Sequence, residues 1–325
     1  MSMASRSVKI ALTPFIFFAA TAAALAQGFP AKPVKLMVGV PPGGPTDTVA
    51  RSIAPELSEA LGQPVIVENR SGASGVIATD FVAKAPADGT TLAFVFITHA
   101  TNPALVARLP YDTLKDFAAV ALVGTQQMLL LANPSFAPNS VQELIAAARA
   151  SPGKLDYGAS DPGSAPHLAG ELFKLMSATR ITPIPYKGTA PALTDLLAGQ
   201  IPFMFVSNIT GLPHVQSGRL KALAVTGAQR LSLVPGVPTV SESGLPSYEI
   251  TSWYGIVAPA RTPRAVISRL SSELAQIARN PRMKGRLLSQ GLELSGSTPE
   301  EFDAHIRSEI AKWERVLKAA GVHAG

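Results

Sequence analysis

The chain has 325 residues, with 28 Lys and Arg, 22 Asp and Glu and a formal net charge of +6. It contains no cysteine, which excludes disulfides, thiolate chemistry and a lipid-modified cysteine anchor. Its basic residues read as scattered, and five tyrosines and two tryptophans offer few rings for stacking on bases, so we expect no nucleic-acid partner.

The first 26 residues have the pattern of a cleaved export signal. Two basic residues precede an apolar stretch at 10–24, and residues 24–26 read Ala-Leu-Ala, a small-x-small cleavage site. We therefore expect a signal peptide over 1–26, cleaved near Ala26, and a periplasmic mature protein. The alternative is an uncleaved N-terminal anchor, although the apolar stretch is short for a membrane span.

Four loops rich in glycine, serine, threonine and proline form two similar pairs. They are loop 1 (41–47), loop 2 (69–75), loop 3 (158–164) and loop 4 (185–189). Each follows an apolar, strand-like run and precedes a helix-like segment. Small residues expose backbone N–H groups, and a helix N-terminus carries partial positive charge, so such loops suit an anion. The two β-loop-α-β-loop-α units predict two lobes with a small anionic ligand between them.

Helix and strand signals alternate along most of the chain, which predicts an α/β fold. A helix after loop 1 is expected to be capped by Thr46 or Asp47 and kinked at Pro55. Its apolar side is formed by Val49, Ile53, Leu57 and Leu61. Further helices are predicted to begin at Ser140, Thr262-Pro263 and Thr298, and strands at 91–97, 120–132, 201–206, 220–226 and 252–258.

Two of these strands, 120–132 and 252–258, are predicted to cross between the lobes. The first lobe would then be discontinuous, with lobe 1 at 28–124 plus 252–325 and lobe 2 at 125–251. The alternative is one continuous sheet without a hinge.

Five segments in a fixed order are highly specific as a set. They read KLMVGVPPGGPTD at 35–47, VENRSGASG at 67–75, LPYDTLKDF at 109–117, YGASDPGSAPHLAGEL at 157–172 and YKGTAPALTDLLAGQ at 186–200. Together they resemble the Bug-type solute receptors, the extracytoplasmic binding proteins of tripartite tricarboxylate transporters. The resemblance implies a two-lobed periplasmic binding protein of the type II, Venus-flytrap kind. Such a protein binds one small carboxylate between its lobes and delivers it to a membrane permease.

The predicted substrate-binding residues lie in the four loops and close to the ends of strands. They are Pro42, Gly43, Gly44, Thr46, Asp47, Gly72, Ala73, Ser74, Thr98, His99, Ser160, Gly163, Ser164, His167, Tyr186, Lys187, Gly188 and Ser207. The resemblance implies that backbone amides, hydroxyls and bridging waters hold the carboxylate, rather than arginine forks. Ser74 replaces a commoner glycine, and Ser207 stands where family members often carry an acid or amide, so the identity of the carboxylate stays open.

Several of these side chains have two readings. Thr46 either donates its hydroxyl to a ligand oxygen or only caps its helix. Asp47 would repel a carboxylate at 4 Å by ~1 kcal/mol even in water, so we interpret it as a cap or a loop brace unless the ligand carries an amine. Arg70 and Lys187 either pair with the ligand or form solvated or interlobe ion pairs. His167 hydrogen-bonds either the ligand or a neighbouring loop.

We expect no enzyme activity, no cofactor and no metal site. Ser164 and His167 lie three positions apart, without a third orienting residue or a Gly-x-Ser-x-Gly elbow. Loop 1 lacks the lysine of a phosphate-binding P-loop, and no histidine pair has metal-ligand spacing. The expected partners of a monomeric protein are a small carboxylate and the permease subunits. The alternative is an adaptor that reports its ligand to a membrane sensor.

Overall fold

The computed structural model describes residues 28–160 and 162–322, and the predicted export signal lies outside these ranges. The strands are β1 (Val34–Val38), β2 (Val65–Asn69), β3 (Thr91–Phe96), β4 (Phe117–Ala132), β5 (Leu155–Ala159), β6 (Ile181–Pro185), β7 (Phe203–Ser207), β8 (Lys221–Val225), β9 (Thr251–Pro259) and β10 (Leu292–Leu294). The helices are α1 (Pro45–Leu61), α2 (Val76–Ala83), α3 (Thr98–Leu105), α4 (Val141–Ala150), α5 (Ala165–Ser177), α6 (Thr189–Leu197), α7 (Asn208–Gln216), α8 (Arg264–Arg279), α9 (Pro281–Leu288) and α10 (Pro299–Ala319).

The parallel strands form two groups within one ten-stranded sheet of the described residues, and the antiparallel strands β9 and β4 join them in the order β2-β1-β3-β9-β4-β7-β5-β6. In the first group β1 lies between β2 and β3, and in the second β5 lies between β6 and β7. The long strand β4 is antiparallel to β9 along 117–127 and antiparallel to β7 along 128–132. Along the chain, the strands of each parallel group alternate with helices, because the connection between two parallel strands must cross the sheet and is usually a helix. The expected α/β fold with two lobes is confirmed. The lobe boundaries at 124 and 252 stay a prediction.

The helix-forming patterns of the sequence correspond to buried helix faces. In α1 the side chains of Val49, Ile53 and Leu57 are at most 1% exposed, and in α10 Phe302 and Trp313 are fully buried. The helix-capping expectation for α1 is wrong, because the N-cap is Gly44, without a side-chain capping bond. Gly44 can occupy the N-cap position without a capping side chain, because Pro45 at the first helical position has no N–H that needs an acceptor.

Besides its buried apolar side, the C-terminal helix α10 is linked to the sheet by the carboxylate of Glu309. Glu309 Oε2 accepts the indole N–H of Trp253 at 3.0 Å and that of Trp313 at 2.8 Å. The N-terminus of α10 has a complete capping box. The Thr298 side chain accepts from the Glu301 amide, and the Glu301 side chain accepts from the Thr298 amide. Within the described residues, no helix is long and apolar enough to cross a membrane.

The fold places the predicted site residues at equivalent positions in the two groups of strands. Loop 1, loop 2 and Thr98 follow the carboxyl ends of β1, β2 and β3, and loop 3, loop 4 and Ser207 stand at the carboxyl ends of β5, β6 and β7. Ligands of open α/β sheets bind outside the carboxyl ends of parallel strands. The candidate residues of both strand groups, called here the two halves of the molecule, therefore lie at the carboxyl edge of their parallel strands.

Candidate functional site

Loop 1 is held by a carboxylate that the sequence marked as ambiguous. Asp47 is 2% exposed, and its two oxygens accept hydrogen bonds from the Gly43 amide at 2.9 Å, from Arg51 Nε at 3.0 and 3.1 Å and from Asn69 Nδ2 at 2.8 Å. Burial alone would raise the pKa of Asp47, but the bonds from Arg51, Gly43 and Asn69 outweigh burial and lower it. This geometry favours the brace interpretation of Asp47.

The same network ties loop 1 to the end of β2. Asn69 donates from Nδ2 to the Val40 carbonyl at 3.0 Å as well as to Asp47, and its Oδ1 accepts from Arg51 Nη2 at 2.8 Å. The backbones also approach closely, because a Cβ built on Gly39 would lie 2.6 Å from the Cα of Gly75. Loops 1 and 2 therefore form one braced unit.

Loop 2 has an unusual backbone. Four successive residues have positive φ: Gly72 at 130°, Ala73 at 46°, Ser74 at 53° and Gly75 at 89°. Ala73 and Ser74 carry a Cβ that disfavours this region, at a cost on the order of 1–2 kcal/mol per residue. The Ser74 carbonyl accepts from Asn102 Nδ2 at 3.3 Å, which supports the strained turn from behind. Arg70, whose role the sequence left open, places its guanidinium 3.7 Å from the ring centroid of Phe81.

Thr98 and His99 are the first two residues of α3 and lie beside Gly75 of loop 2. His99 is 2% exposed, and neither of its ring nitrogens has a hydrogen-bond partner among the described residues. Burial lowers the pKa of His99 to about 4, so the imidazole is neutral at physiological pH. Its ring stands edge-on to Phe117 at a centroid distance of 5.3 Å. A cavity of about 10 Å³, large enough for roughly one water molecule, is lined by residues that include Gly39, Gly75, Thr98 and His99.

Loop 3 is ordered by short-range hydrogen bonds. Ser160 Oγ and Ser164 Oγ lie 2.8 Å apart, and the Gly163 amide donates to His167 Nδ1 at 3.2 Å. Burial lowers the pKa of His167, while the carboxylate of Glu171, 3.9 Å from Nε2, opposes this shift. Because His167 Nδ1 is bonded to an amide and the Ser164 hydroxyl to another serine, the pair is not arranged as a nucleophile and its base.

Loop 4 adjoins loop 3 through the backbone. The Tyr186 amide donates to the Ala159 carbonyl at 2.8 Å, and its hydroxyl donates to Asp195 Oδ2 at 2.7 Å. Partial burial, together with the Asp195 carboxylate, raises the pKa of Tyr186 to about 12. Gly188 has a φ of +89° and precedes α6 directly, and a Cβ built on it would meet nothing within 4 Å. Lys187 is exposed and has no ion pair among the described residues.

Loops 2 and 3 meet across the two halves of the molecule. Thr101 Oγ1 of α3 donates to the Gly163 carbonyl at 3.2 Å, and Ser74 Oγ lies 3.5 Å from the Pro162 carbonyl. Gly163 has a φ of +76°, and a Cβ built on it would lie 2.5 Å from Leu105 Cδ1 and 2.7 Å from Thr101 Oγ1, so glycine is favoured at this contact. The structure therefore brings loops 1, 2, 3 and 4 into one continuous series of contacts.

Ser207 ends β7 immediately before α7. Its side chain is 8% exposed, and its Oγ has no hydrogen-bond partner among the described residues. The next residue, Asn208, is fully buried and bridges the two halves, because it accepts from Gln126 Nε2 at 2.5 Å and donates to the Gly291 carbonyl at 2.9 Å. Ser207 thus has a free hydroxyl at a rigid position near the strand β4 that both halves share.

The sequence analysis missed four polar residues of this region. They are Asn69, Thr101, Asn102 and Asn208. Thr101 and Asn102 follow Thr98 in a polar stretch after a buried strand, and that pattern was the available signal. Within the described ranges, no group of three or more His, Asp or Glu side chains is placed to hold a metal ion.

The donors near the four loops are mostly uncharged. Helices α1, α2, α5, α6 and α7 begin close behind the strand ends, so each directs free N–H groups and the positive end of its dipole there. Of the nearby cations, Arg51 pairs with Asp47 and Arg70 stacks on Phe81, whereas Lys187 of loop 4 has no ion pair among the described residues. The arrangement is chemically suited to an anion held by amides and hydroxyls. A larger groove of about 410 Å³ lies elsewhere, between the end of α3, residues 106–114 and Ile310.

Comparison with known proteins identifies the family. The profile described as TctC, the tripartite tricarboxylate transporter family receptor, matches residues 49–322. This chain belongs to that family. The predicted resemblance is therefore confirmed, and the family is one of periplasmic solute-binding receptors.

Individual relatives agree with this assignment. Protein BugT of Bordetella pertussis is 36% identical over 301 residues, which cover 91% of each chain. The structure of Rpa4515 from R. palustris with adipate superposes with a TM-score of 0.86 at 38% identity, covering 91% of this chain and 100% of that one. MatC from Rhodopseudomonas palustris with bound malate has a TM-score of 0.81 at 33% identity, covering 89% of this TctC-family chain and 100% of MatC.

Proposed function

We propose that this receptor binds a small organic carboxylate between its two lobes and delivers it to the membrane subunits of a tripartite transporter. The observation that carries the proposal is the convergence of loops 1 to 4, each at the carboxyl end of a parallel strand, into one series of contacts. Amides, hydroxyls and helix N-termini predominate there, and such groups suit a carboxylate.

The proposed binding residues are those that the sequence analysis named, with Asp47 as a brace. Open space beside Gly43 and Gly188, together with the unpartnered hydroxyl of Ser207, supports a ligand bounded by loop 1, loop 4 and the end of β7. The lobes would be 28–124 plus 252–325 and 125–251. The change of partner along β4, from β9 at Gln127 to β7 at Met128, supports a boundary close to the one predicted.

The proposed ligand class includes dicarboxylates. Two solved relatives above 30% identity hold adipate and malate, which both carry two carboxylates. A panel of organic acids, amino acids, sugars and nucleotides, screened by thermal shift on residues 28–325, tests the proposal. A ligand at 100 times its Kd adds ~2.7 kcal/mol to the free energy of unfolding. We expect stabilisation by a mono- or dicarboxylate, and stabilisation by a sugar or nucleotide alone would refute the proposal.

A further inference from the structure

One short segment accounts for the entire excess of positive charge in residues 28–325. These residues contain 26 Lys and Arg and 22 Asp and Glu, because two of the 28 basic residues precede position 28. Four of the 26 lie within 279–286, and the remaining 22 equal the number of acids. The four residues, named here the basic face, are Arg279, Arg282, Lys284 and Arg286. The expectation that basic residues are scattered therefore misses a concentrated cluster.

The basic face stands on a rigid base. Helix α8 ends at Arg279, and Asn280 then caps α9 by accepting hydrogen bonds from the amides of Arg282 at 3.0 Å and Met283 at 3.3 Å. Met283 and Leu287, each 1% exposed, fasten α9 to the core, while all four cations are exposed. The four cations are consequently carried by helices that pack against the core, rather than by a loop.

Little negative charge balances this surface. No Asp or Glu occurs from 274 to 292. Glu56 of α1 is shared by two guanidiniums, at 3.6 Å from Arg282 and 3.9 Å from Arg286. Among the described residues, Arg279 and Lys284 have no ion-pair partner within 4.0 Å. Three of the four positive charges are thus uncompensated.

We infer that the basic face docks the receptor on an anionic phospholipid surface, with headgroup phosphates as its ligands. Clusters of four to eight basic residues on an amphipathic helix are typical of anionic-lipid binding, at about 1 kcal/mol for each Lys or Arg near the surface. Here α9 carries three of the four cations, and Arg279 ends α8 directly before it. Residues 279–288 contain no aromatic side chain, so the face offers no ring on which a nucleic-acid base could stack and lacks the aromatic anchors of a protein interface. Its arginines also suit an acidic protein surface, which is the outcome that the polyglutamate arm of the test detects.

The position of the face fits the work of a receptor that serves a membrane transporter. Arg286 Nη2 donates to the Ser52 carbonyl at 2.8 Å, which joins α9 to α1, the helix that begins in loop 1. Docking through the basic face would therefore hold the candidate site in a fixed orientation to the bilayer. The inference is independent of which carboxylate the cleft binds.

The test is vesicle co-sedimentation of residues 28–325 at low ionic strength. Vesicles of equimolar phosphatidylglycerol and phosphatidylcholine are compared with vesicles of phosphatidylcholine alone. The variant Arg279→Gln with Lys284→Gln removes the two cations that have no acidic partner, and Lys154→Gln with Arg180→Gln is the matched control. Both control residues are exposed and lack an ion pair among the described residues, so the net charge falls by two in each case.

We expect binding to the anionic vesicles only, lost in high salt because the charges are screened. The basic-face variant should bind about thirtyfold more weakly, which corresponds to two cations at about 1 kcal/mol each, and the control should bind as the parent does. Equal weakening of the control, or binding to polyglutamate without binding to vesicles, would overturn the lipid assignment. The carboxylate thermal shift, measured on the same variants, separates a failure here from a failure of the proposed function.

Discussion

The two loop pairs reach the same place in the fold by different chemistry. Loops 1 and 2 are joined by an ionised carboxylate, Asp47, whose hydrogen bonds reach Arg51 and Asn69. Loop 3 depends on uncharged partners, such as the Ser160–Ser164 pair and the bond from the Gly163 amide to His167, and a backbone bond from the Tyr186 amide to the Ala159 carbonyl joins it to loop 4. The Asp195 carboxylate accepts from the Tyr186 hydroxyl of loop 4 but does not link the two loops. Charge-assisted bonds are roughly twice as strong as neutral ones. The comparison suggests that the first pair is a rigid platform and that the second is more easily rearranged.

Removal of the Asp47 carboxylate should have the largest effect. Asp47→Ala removes the shared acceptor of the Gly43 amide, Arg51 Nε and Asn69 Nδ2, so we expect the free energy of unfolding to fall by about 3 kcal/mol. Ser160→Ala in the second pair should cost only about 1 kcal/mol. Urea denaturation at neutral pH measures both.

Asp303→Ala is the matched control for loss of an acid, because this exposed carboxylate pairs with Arg307 along α10. It should change stability by less than ~1 kcal/mol. The comparison between the loop pairs is wrong if Ser160→Ala costs as much as Asp47→Ala.

The next effect concerns ligand affinity and asks whether both pairs contact the same ligand. Thr46→Val alters the first half, and Ser164→Ala alters the second. A lost hydrogen bond to a charged ligand is worth ~1.5–3 kcal/mol, so each variant should bind the carboxylate found by thermal shift about ten- to a hundredfold more weakly in titration calorimetry.

Stability without ligand serves as the control for these variants, because Ser164 also bonds the buried Ser160. Ligand should also compact the parent protein in solution scattering, as expected for lobe closure. Full affinity of the Ser164 variant, together with an unchanged radius of gyration, would place the whole site in the first half.

The smallest expected effect is on the pH dependence of stability, and it compares His99 of the first half with His167 of the second. The lowered pKa of His99, about 4 against 6.5, means that the unfolded chain takes up a proton first as the pH falls. Stability is therefore fully retained above pH 6.5 and decreases toward pH 4. At pH 5 this histidine should account for about 2 kcal/mol of the loss.

The measurement is the change in unfolding free energy between pH 7 and pH 5, compared between the parent and His99→Phe. The parent should lose about 2 kcal/mol more than the variant. His167→Gln should reduce the acid loss less than His99→Phe does, because Glu171 opposes the effect of burial on the pKa of His167. Identical pH dependence of the parent and His99→Phe would refute the buried neutral imidazole.

Much of the site's position could be predicted from the sequence because it depends on local order. A loop that follows a parallel strand and precedes a helix lies at the carboxyl edge of the sheet whatever the rest of the chain does. The positive φ values of Gly43, Gly163 and Gly188 likewise fit the glycine-rich pattern. The cap of α1 was predicted wrongly because Thr46 and Asp47 are common capping residues, whereas Pro45 places the helix start one position before Thr46.

The sequence by itself determined the alternation of strands and helices, the apolar helix faces and the family, because these depend on periodicity and on short segments in order. Only the tertiary structure decided which polar groups meet. The contact of Thr101 with Gly163 joins residues 62 positions apart, and the brace from Asp47 to Asn69 joins two different strand ends. A threonine or asparagine side chain is equally stable when it is exposed and hydrogen-bonded to water. Its role depends on what packing places beside it, since burial makes an unpaired polar group costly and a paired one a structural constraint.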